Sequence, residues 1–183
     1  KPIIGRIHSV ETFGAVDEPG VRYVLFMQGC PLRCLYCHNP DSWDVHSGKE
    51  IISEEAAEDI QKYMNFIKRG GVTISGGEPL LQSEFVEDLI LRCKALGLHT
   101  ANDTSGVIPL EKSQKAIDAS DLLLLDIKSL DDDVCKNLTG TSNSNTLKTL
   151  DYCEQTHKPV WIRHVIVPGI TLKTDLLEKL ADF

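Results

Sequence analysis

The sequence predicts an α/β fold in which a parallel sheet, wound with helices, forms a barrel or partial barrel. Two observations carry this. β-rich apolar stretches and helical stretches alternate five times along the 183 residues with short links between them, and such alternation implies parallel strands joined by right-handed crossovers. The strands are also apolar without a polar residue at every second place, as in "LLLLDI", which marks strands buried on both faces. A flat doubly wound sheet is the alternative that the same pattern allows.

Each element follows from local chemistry. Residues 3–12 read as a short strand or hairpin ahead of the main fold, and "VRYVLFMQ" (21–28) is the first strand of the alternating series. A helix is expected over 53–69: Ser53 can cap it, acids fill its first turn, Lys68 and Arg69 its last, and Gly70 follows. "GVTIS" (71–75) is a strand, and residues 84–96 form a helix ended by Gly97. "LHTAN" (98–102) is the third strand, followed by a helix over 110–119 and then by "LLLLDI" (122–127). Helices are expected over 131–138 and 146–156, a fifth strand in "VWIRHVIV" (160–167), and a last helix from residue 174. No strand follows that helix, and the chain does not start with methionine. The expectation is therefore a single domain, 1–183, that is a piece of a longer protein lacking at least one C-terminal strand.

Composition removes several classes of function. No apolar run approaches the length of a membrane span, and the start "KPIIGRIHSV" lacks the layout of a signal peptide. A cytoplasmic protein without membrane contact is the expectation. With a net charge of −8 and no basic block, nucleic acid is disfavoured as a ligand. Three of the six cysteines are scattered through expected helices (Cys93, Cys135, Cys153) and read as reduced core residues. The other three, Cys30, Cys34 and Cys37, stand together in "GCPLRCLYCHNPDSW".

The polar clusters fall at strand ends. After the first strand of the series comes the cysteine cluster, after the second "SGGEPL", after the third "DTSG". The fourth runs into Asp126 and Lys128, and the fifth carries Arg163 and His164. In barrel-like parallel sheets the C-terminal strand ends share one face, where active sites are built, so these clusters converge. Thiolates select zinc, copper(I) or iron–sulfur clusters. Structural sites close their coordination, normally with four ligands, so three cysteines suggest a position left open for a small molecule. A [4Fe–4S] cluster with one free iron fits this better than a zinc site completed by His38, because adjacent residues rarely reach one tetrahedral ion together. The two glycines of "SGGEPL" allow close backbone approach to a ligand and Glu78 can pair with an amino group, although an ordinary strand–helix turn explains the motif equally well. Asp103 and Asp126 can hold a cation or a charged ligand, although Asp103 can equally cap a helix. Lys128 and Arg163 supply charge for a carboxylate, or for surface salt bridges. Together they suit a zwitterionic amino acid beside an open iron.

The spacing Cys-x3-Cys-x2-Cys with Tyr36 before the last cysteine, and "GGEP" on the next strand, resemble the radical S-adenosylmethionine (SAM) family. The blocks "ETFGAVDEPGVRYVLFMQGCPLRCLYCHNPDSW", "SGGEPL", "DTSG", "DIK" and "WIRHVIVPG" narrow the resemblance to that family's glycyl-radical activating enzymes, in particular those acting on pyruvate formate-lyase. It runs from the N-terminus to about Ile170. It implies a partial (β/α)6 barrel in which Cys30, Cys34 and Cys37 hold three irons of a [4Fe–4S] cluster, while the methionyl amine and carboxylate of SAM bind the fourth. It places Tyr36, Cys37 and His38 along the adenosyl moiety, Gly76, Gly77 and Glu78 at the methionine amine, and Asp126, Ile127, Lys128 and Arg163 around the rest of SAM. Asp103, Thr104 and Asp126 would bind a monovalent cation, and Asp17 would meet the substrate peptide.

The implied reaction is reductive cleavage of SAM with an electron from flavodoxin or ferredoxin, followed by hydrogen abstraction from a glycine of the partner. No side chain is needed as an acid or base, and a monomer is expected. Glu18 stands where the family has glycine, and Ala101 and Asn102 where it has a cysteine and an apolar residue. A late histidine of the family falls beyond Phe183. Other readings are the activase of anaerobic ribonucleotide reductase and a non-catalytic iron–sulfur or zinc protein that carries electrons or scaffolds a partner. Activases with a ferredoxin-like insert are disfavoured, since the 38 residues between Cys37 and Gly76 include no cysteine.

Overall fold

The computed structural model describes residues 1–14 and 20–183. Its strands are β1 (Ile4–Gly14), β2 (Arg22–Met27), β3 (Lys49–Ile52), β4 (Gly71–Gly76), β5 (Thr100–Thr104), β6 (Leu122–Asp126) and β7 (Val160–Arg163). The helices are α1 (Ser53–Gln61), α2 (Met64–Ile67), α3 (Ser83–Ala95), α4 (Leu110–Ala119), α5 (Asp132–Thr139), α6 (Ser144–Gln155) and α7 (Thr174–Asp182). All seven strands form one sheet in the order β3-β1-β2-β4-β5-β6-β7. β1 pairs antiparallel with both β2 and β3, whereas β2, β4, β5, β6 and β7 are parallel.

The parallel strands lie in chain order. A doubly wound sheet needs a point at which that order reverses, and here there is none, so right-handed crossovers carry the helices between parallel strands to the same side. The helices accordingly touch in sequence along that side, α1 on α3, α3 on α4 and α4 on α6. The sheet is not closed, since β3 and β7 are its two edges. This is a partial barrel, and the flat alternative is excluded.

The core lies between strands and helices. Tyr23, Leu25 and Met27 of β2, Ile74 of β4, Leu123 of β6, Phe85, Leu89 and Ile90 of α3, and Ile117 of α4 are fully buried there. A buried Leu or Ile stabilises by about 1.5–3 kcal/mol. Cys93, Cys135 and Cys153 are buried free thiols on α3, α5 and α6, as expected. Among the described residues no helix is long and apolar enough to cross a membrane.

Several expectations are corrected. The single helix over 53–69 is two, α1 and α2, because Lys62 and Tyr63 donate to the carbonyls of Asp59 and Ile60 in tight turns. Ser53 is the first residue of α1, whose N-terminus has no side-chain cap. Strand β3 was not foreseen. β7 stops at Arg163, beyond which His164 Nδ1 meets the Ile127 carbonyl at 2.7 Å and the Thr171 hydroxyl ties Val165 to Val167. Nor is β7 buried on both faces: Trp161 and Ile162 are nearly half exposed.

Candidate functional site

β2 delivers the chain at Met27 to the C-terminal face of the parallel strands, and the cysteine loop starts two residues later. The loop root is anchored by Gly29 N–H on the Ser42 carbonyl (2.8 Å) and Cys30 N–H on that of Trp43 (3.2 Å). Cys30 is buried and Cys34 and Cys37 are half-buried, and all three are free. They line one cleft of ≈380 Å³. Burial pushes the Cys30 thiol up to about 11, against a hydrogen bond at Leu32 and with the Glu78 carboxyl adding to the rise. Burial also raises the Cys34 thiol, although Lys128 opposes it. Catalytic cysteine nucleophiles have lowered values, which neither thiol shows.

The opposite wall is the end of β4. Gly76 has φ +110°, and a Cβ there would lie 2.3 Å from Met27 N; one on Gly77 would lie 2.3 Å from the Gly29 carbonyl oxygen. Gly77 N–H donates to the Met27 carbonyl (3.0 Å) and Glu78 N–H to that of Gly29 (2.8 Å). The glycines are therefore required by contact with the root of the cysteine loop, and the turn and loop form one backbone unit. Both glycines line the cleft. The Glu78 side chain is buried and engaged elsewhere: Oε1 accepts from Thr104 Oγ1 (2.5 Å) and Leu80 N–H (3.2 Å), Oε2 from Ser105 N–H (3.0 Å) and Oγ (2.5 Å). Burial raises its carboxyl against these hydrogen bonds. It ties the end of β4 to that of β5.

The remaining charged residues meet on the same face. Ser75 Oγ donates to Asp103 Oδ2 (2.7 Å), and Arg163 Nη1 pairs with that oxygen at 3.2 Å. Burial raises the Asp103 carboxyl, with Arg163 opposing. Lys128 Nζ pairs with Asp126 Oδ2 at 2.8 Å and lies 5.2 Å from the centre of the Tyr36 ring. Burial alone would lower Lys128, but Asp126, Tyr36 and Cys34 together outweigh it and the ammonium is held charged. Asp126 Oδ1 and the Tyr36 hydroxyl are buried without a hydrogen-bond partner. Ile127 is buried, its N–H on the Arg163 carbonyl at 2.9 Å. The two carboxylates expected to share a cation are thus each paired with a side-chain cation, and Thr104 Oγ1 is given to Glu78. Asp103 caps no helix, since α4 starts at Leu110.

Cys30, Cys34, Tyr36, Cys37, His38, Gly76, Gly77, Asp103, Thr104, Asp126, Lys128 and Arg163 all border the cleft. Asp17 lies outside the described residues. Sequence reasoning missed Ser42, Trp43, Ser75 and Ser105, which also border it. Ser75 had a usable signal, because it and Asp103 are both the next-to-last positions of their strands.

The profile of the radical SAM superfamily matches residues 24–180. Over 185 residues the chain is 44% identical to the pyruvate formate-lyase 1-activating enzyme of Escherichia coli K12, covering 99% of this chain and 75% of that one. The chain belongs to the radical SAM superfamily, among its pyruvate formate-lyase-activating enzymes. A solved domain of pyruvate-formate lyase-activating enzyme from Bacteroides vulgatus is 33% identical, with a TM-score of 0.57 over 62% of this chain and 70% of that one. Streptococcus suis SuiB bound to S-adenosylmethionine superposes with a TM-score of 0.71 over 85% of this chain and 35% of that one; at 18% identity this likeness is one of fold.

The cofactors of a radical SAM protein are a [4Fe–4S] cluster and SAM, and the residues present fit both. Three free thiols border one cleft. Beside the thiols lie a polar backbone turn, a charged lysine and two buried polar atoms without partners.

Proposed function

We propose that this chain is an activase of pyruvate formate-lyase, reading Cys30, Cys34 and Cys37 as ligands of three irons and the cleft beside them as the SAM site. The observation that carries the reading is the joining of the thiol loop to the glycine turn, with no fourth thiol at the cleft among the described residues. Held by Cys30, Cys34 and Cys37 beside the cleft, the cluster and SAM would supply reductive SAM cleavage and hydrogen abstraction from a backbone glycine of the partner.

The chain binds and orients. The carbonyls of the Gly76–Gly77 turn meet the methionine amine, while the Glu78 carboxylate fixes that turn from behind. Lys128 and Arg163 offer positive charge to the SAM carboxylate, with Asp126 and Asp103 holding their positions. Tyr36, Cys37 and His38 border the adenosyl side, and the buried backbone of Ile127 keeps β6 in register with Arg163. Asp103, Thr104 and Asp126 form the monovalent-cation site only if Arg163 and Lys128 give way to the ion. Asp17 contacts the partner's glycine loop. Flavodoxin or ferredoxin is the reductant, and the protein acts as a cytoplasmic monomer.

The test is anaerobic reconstitution with iron and sulfide, then dithionite reduction with SAM and an assay for 5′-deoxyadenosine and methionine. Both products in equal amounts are expected, with a glycyl-radical signal once pyruvate formate-lyase is added. A reconstituted, reduced cluster that leaves SAM intact would overturn the reading in favour of an electron carrier.

A further inference from the structure

The cysteine loop has no regular secondary structure from Cys30 to Cys37, so its backbone donors must find partners outside a helix or ladder. Two of them meet the end of a helix. Arg33 N–H donates to the Thr139 carbonyl at 2.8 Å and Leu35 N–H to the Leu138 carbonyl at 3.0 Å. These belong to the last turn of α5, whose final carbonyls have no partner inside the helix. Two sets of groups left over by their own segments therefore satisfy each other on either side of Cys34.

The end of α5 is itself closely specified. Gly140 takes φ +78° and donates to the Lys136 carbonyl, a left-handed stop that glycine adopts without strain. Thr139 Oγ1 donates to the Cys135 carbonyl at 2.9 Å and accepts from Thr141 N–H at 3.1 Å. The helix therefore ends where it can present the two carbonyls.

Arg33 adds a second hold. Its Nη1 lies 2.7 Å from both the Cys30 and the Leu32 carbonyl oxygens, and its guanidinium sits 4.9 Å from the centre of the Trp43 ring. Trp43 in turn accepts the Cys30 N–H. One residue thus joins three supports: α5 through its backbone N–H, the Cys30–Leu32 segment through Nη1, and the indole through the guanidinium charge over its ring. A lysine offers a point charge without the planar fork that stacks and bridges.

We propose that Arg33 and the C-terminal end of α5 form a clamp that sets the Cys30–Cys34 segment in ligand geometry before any cluster binds, making Arg33 a positioning residue for the thiols. The inference rests on reading these thiols as cluster ligands, yet its first test needs no cluster.

Amide hydrogen exchange on the cluster-free chain should show the Arg33 and Leu35 N–H groups exchanging at least about a hundredfold more slowly than in an unstructured peptide. Exchange at the unstructured rate would overturn the clamp, whatever the chain's activity. Arg33→Gln should then speed exchange at Arg33 and Leu35 about tenfold or more, leave the amides of β4 and β6 unchanged, and alter the electron paramagnetic resonance signal of the reduced cluster. Arg33→Lys should recover only part of that protection. If Arg33→Gln leaves both the loop exchange and the signal as in the parent, Arg33 does not position the thiols. If it slows or speeds exchange across the whole sheet equally, its role is global stability and the proposal fails.

Discussion

The two faces of the sheet are built on opposite rules. On the helix side, Leu25, Ile74, Leu123 and Leu125 are buried against α3 and its neighbours, and the Tyr23 hydroxyl at that core's edge donates to Asp59 of α1 at 2.6 Å. At the C-terminal strand ends the last positions of the same strands are Ser75 next to Gly76, Asp103 next to Thr104, Asp126 and Arg163, paired with one another rather than with the core. Stability is concentrated on the first side and chemistry on the second. Substitutions on the two should therefore fail differently.

The largest effect is expected at the cleft. Cys34→Ala should abolish SAM cleavage and sharply lower bound iron after reconstitution, while the far-ultraviolet circular dichroism and Tm of the cluster-free chain stay near the parent's. The reason is local: Cys34 is only half-buried, on a loop held by backbone hydrogen bonds that the substitution leaves in place. Retained cleavage would sink the ligand assignment, and global unfolding would break the division between the two faces.

The converse is Leu123→Ala on β6. Its side chain is fully buried in the core cluster, and such truncations cost about 2–5 kcal/mol, each kcal/mol lowering Tm by about 2–4 °C in a chain of this size. Iron content of the protein that remains folded should be unchanged. A cluster defect without loss of Tm would show that the faces are coupled.

This division also explains how much was legible. The apolar face announces itself, so β2, β4, β6 and all helices except α1 and α2 were readable to within a few residues, and of α1 only the start was. Where strands turn polar to serve the cleft, the signal fades: β5 was expected at 98–102 but runs over Thr100–Thr104, because Asp103 and Thr104 look like a loop. β3 is four residues, "KEII", and exists through its antiparallel pairing with Ile4, Gly5, Arg6 and Ile7, a tertiary partner that no local pattern reveals. For the site, strand-end placement alone brought the cysteines, the glycine turn, Asp126, Lys128 and Arg163 together. What stayed hidden were the pairings that depend on register, such as Glu78 with Thr104 and Ser105, and Arg33 with Trp43 and α5.

A milder test lies within the cleft. Lys128 is mostly buried, held charged beside Asp126 and set over the Tyr36 ring. Lys128→Ala removes the cation facing the expected carboxylate, so SAM affinity should weaken by about ten- to a hundredfold, the range of a charge-assisted hydrogen bond. Iron content should change little, since Lys128 carries no thiol and the loop hydrogen bonds do not involve it. Equilibrium binding to the reconstituted protein measures the first and iron analysis the second; an unchanged affinity would remove Lys128 from the SAM site.

The smallest effect belongs to neither face. Asp132, half-buried at the start of α5, is lowered to about 2 by Lys136 and by the N–H of Asn143 and hydroxyl of Ser142. Its unfolded value is about 3.9, so the folded state holds the carboxylate the more tightly. The stability this contributes is present above pH ~4 and is lost as pH falls through the folded value, between about 4 and 2. Asp132→Asn should therefore flatten the fall of Tm across that window and leave a small deficit at neutral pH. The same carboxylate anchors the α5–α6 turn through Ser142 and Asn143, just beyond the carbonyls that hold the cysteine loop. If Asp132→Asn also speeds exchange at Leu35, that turn belongs to the cleft and not to the inert surface. Exchange at Leu35 unchanged, with the acid slope reduced, would confine its role to the folding of α5.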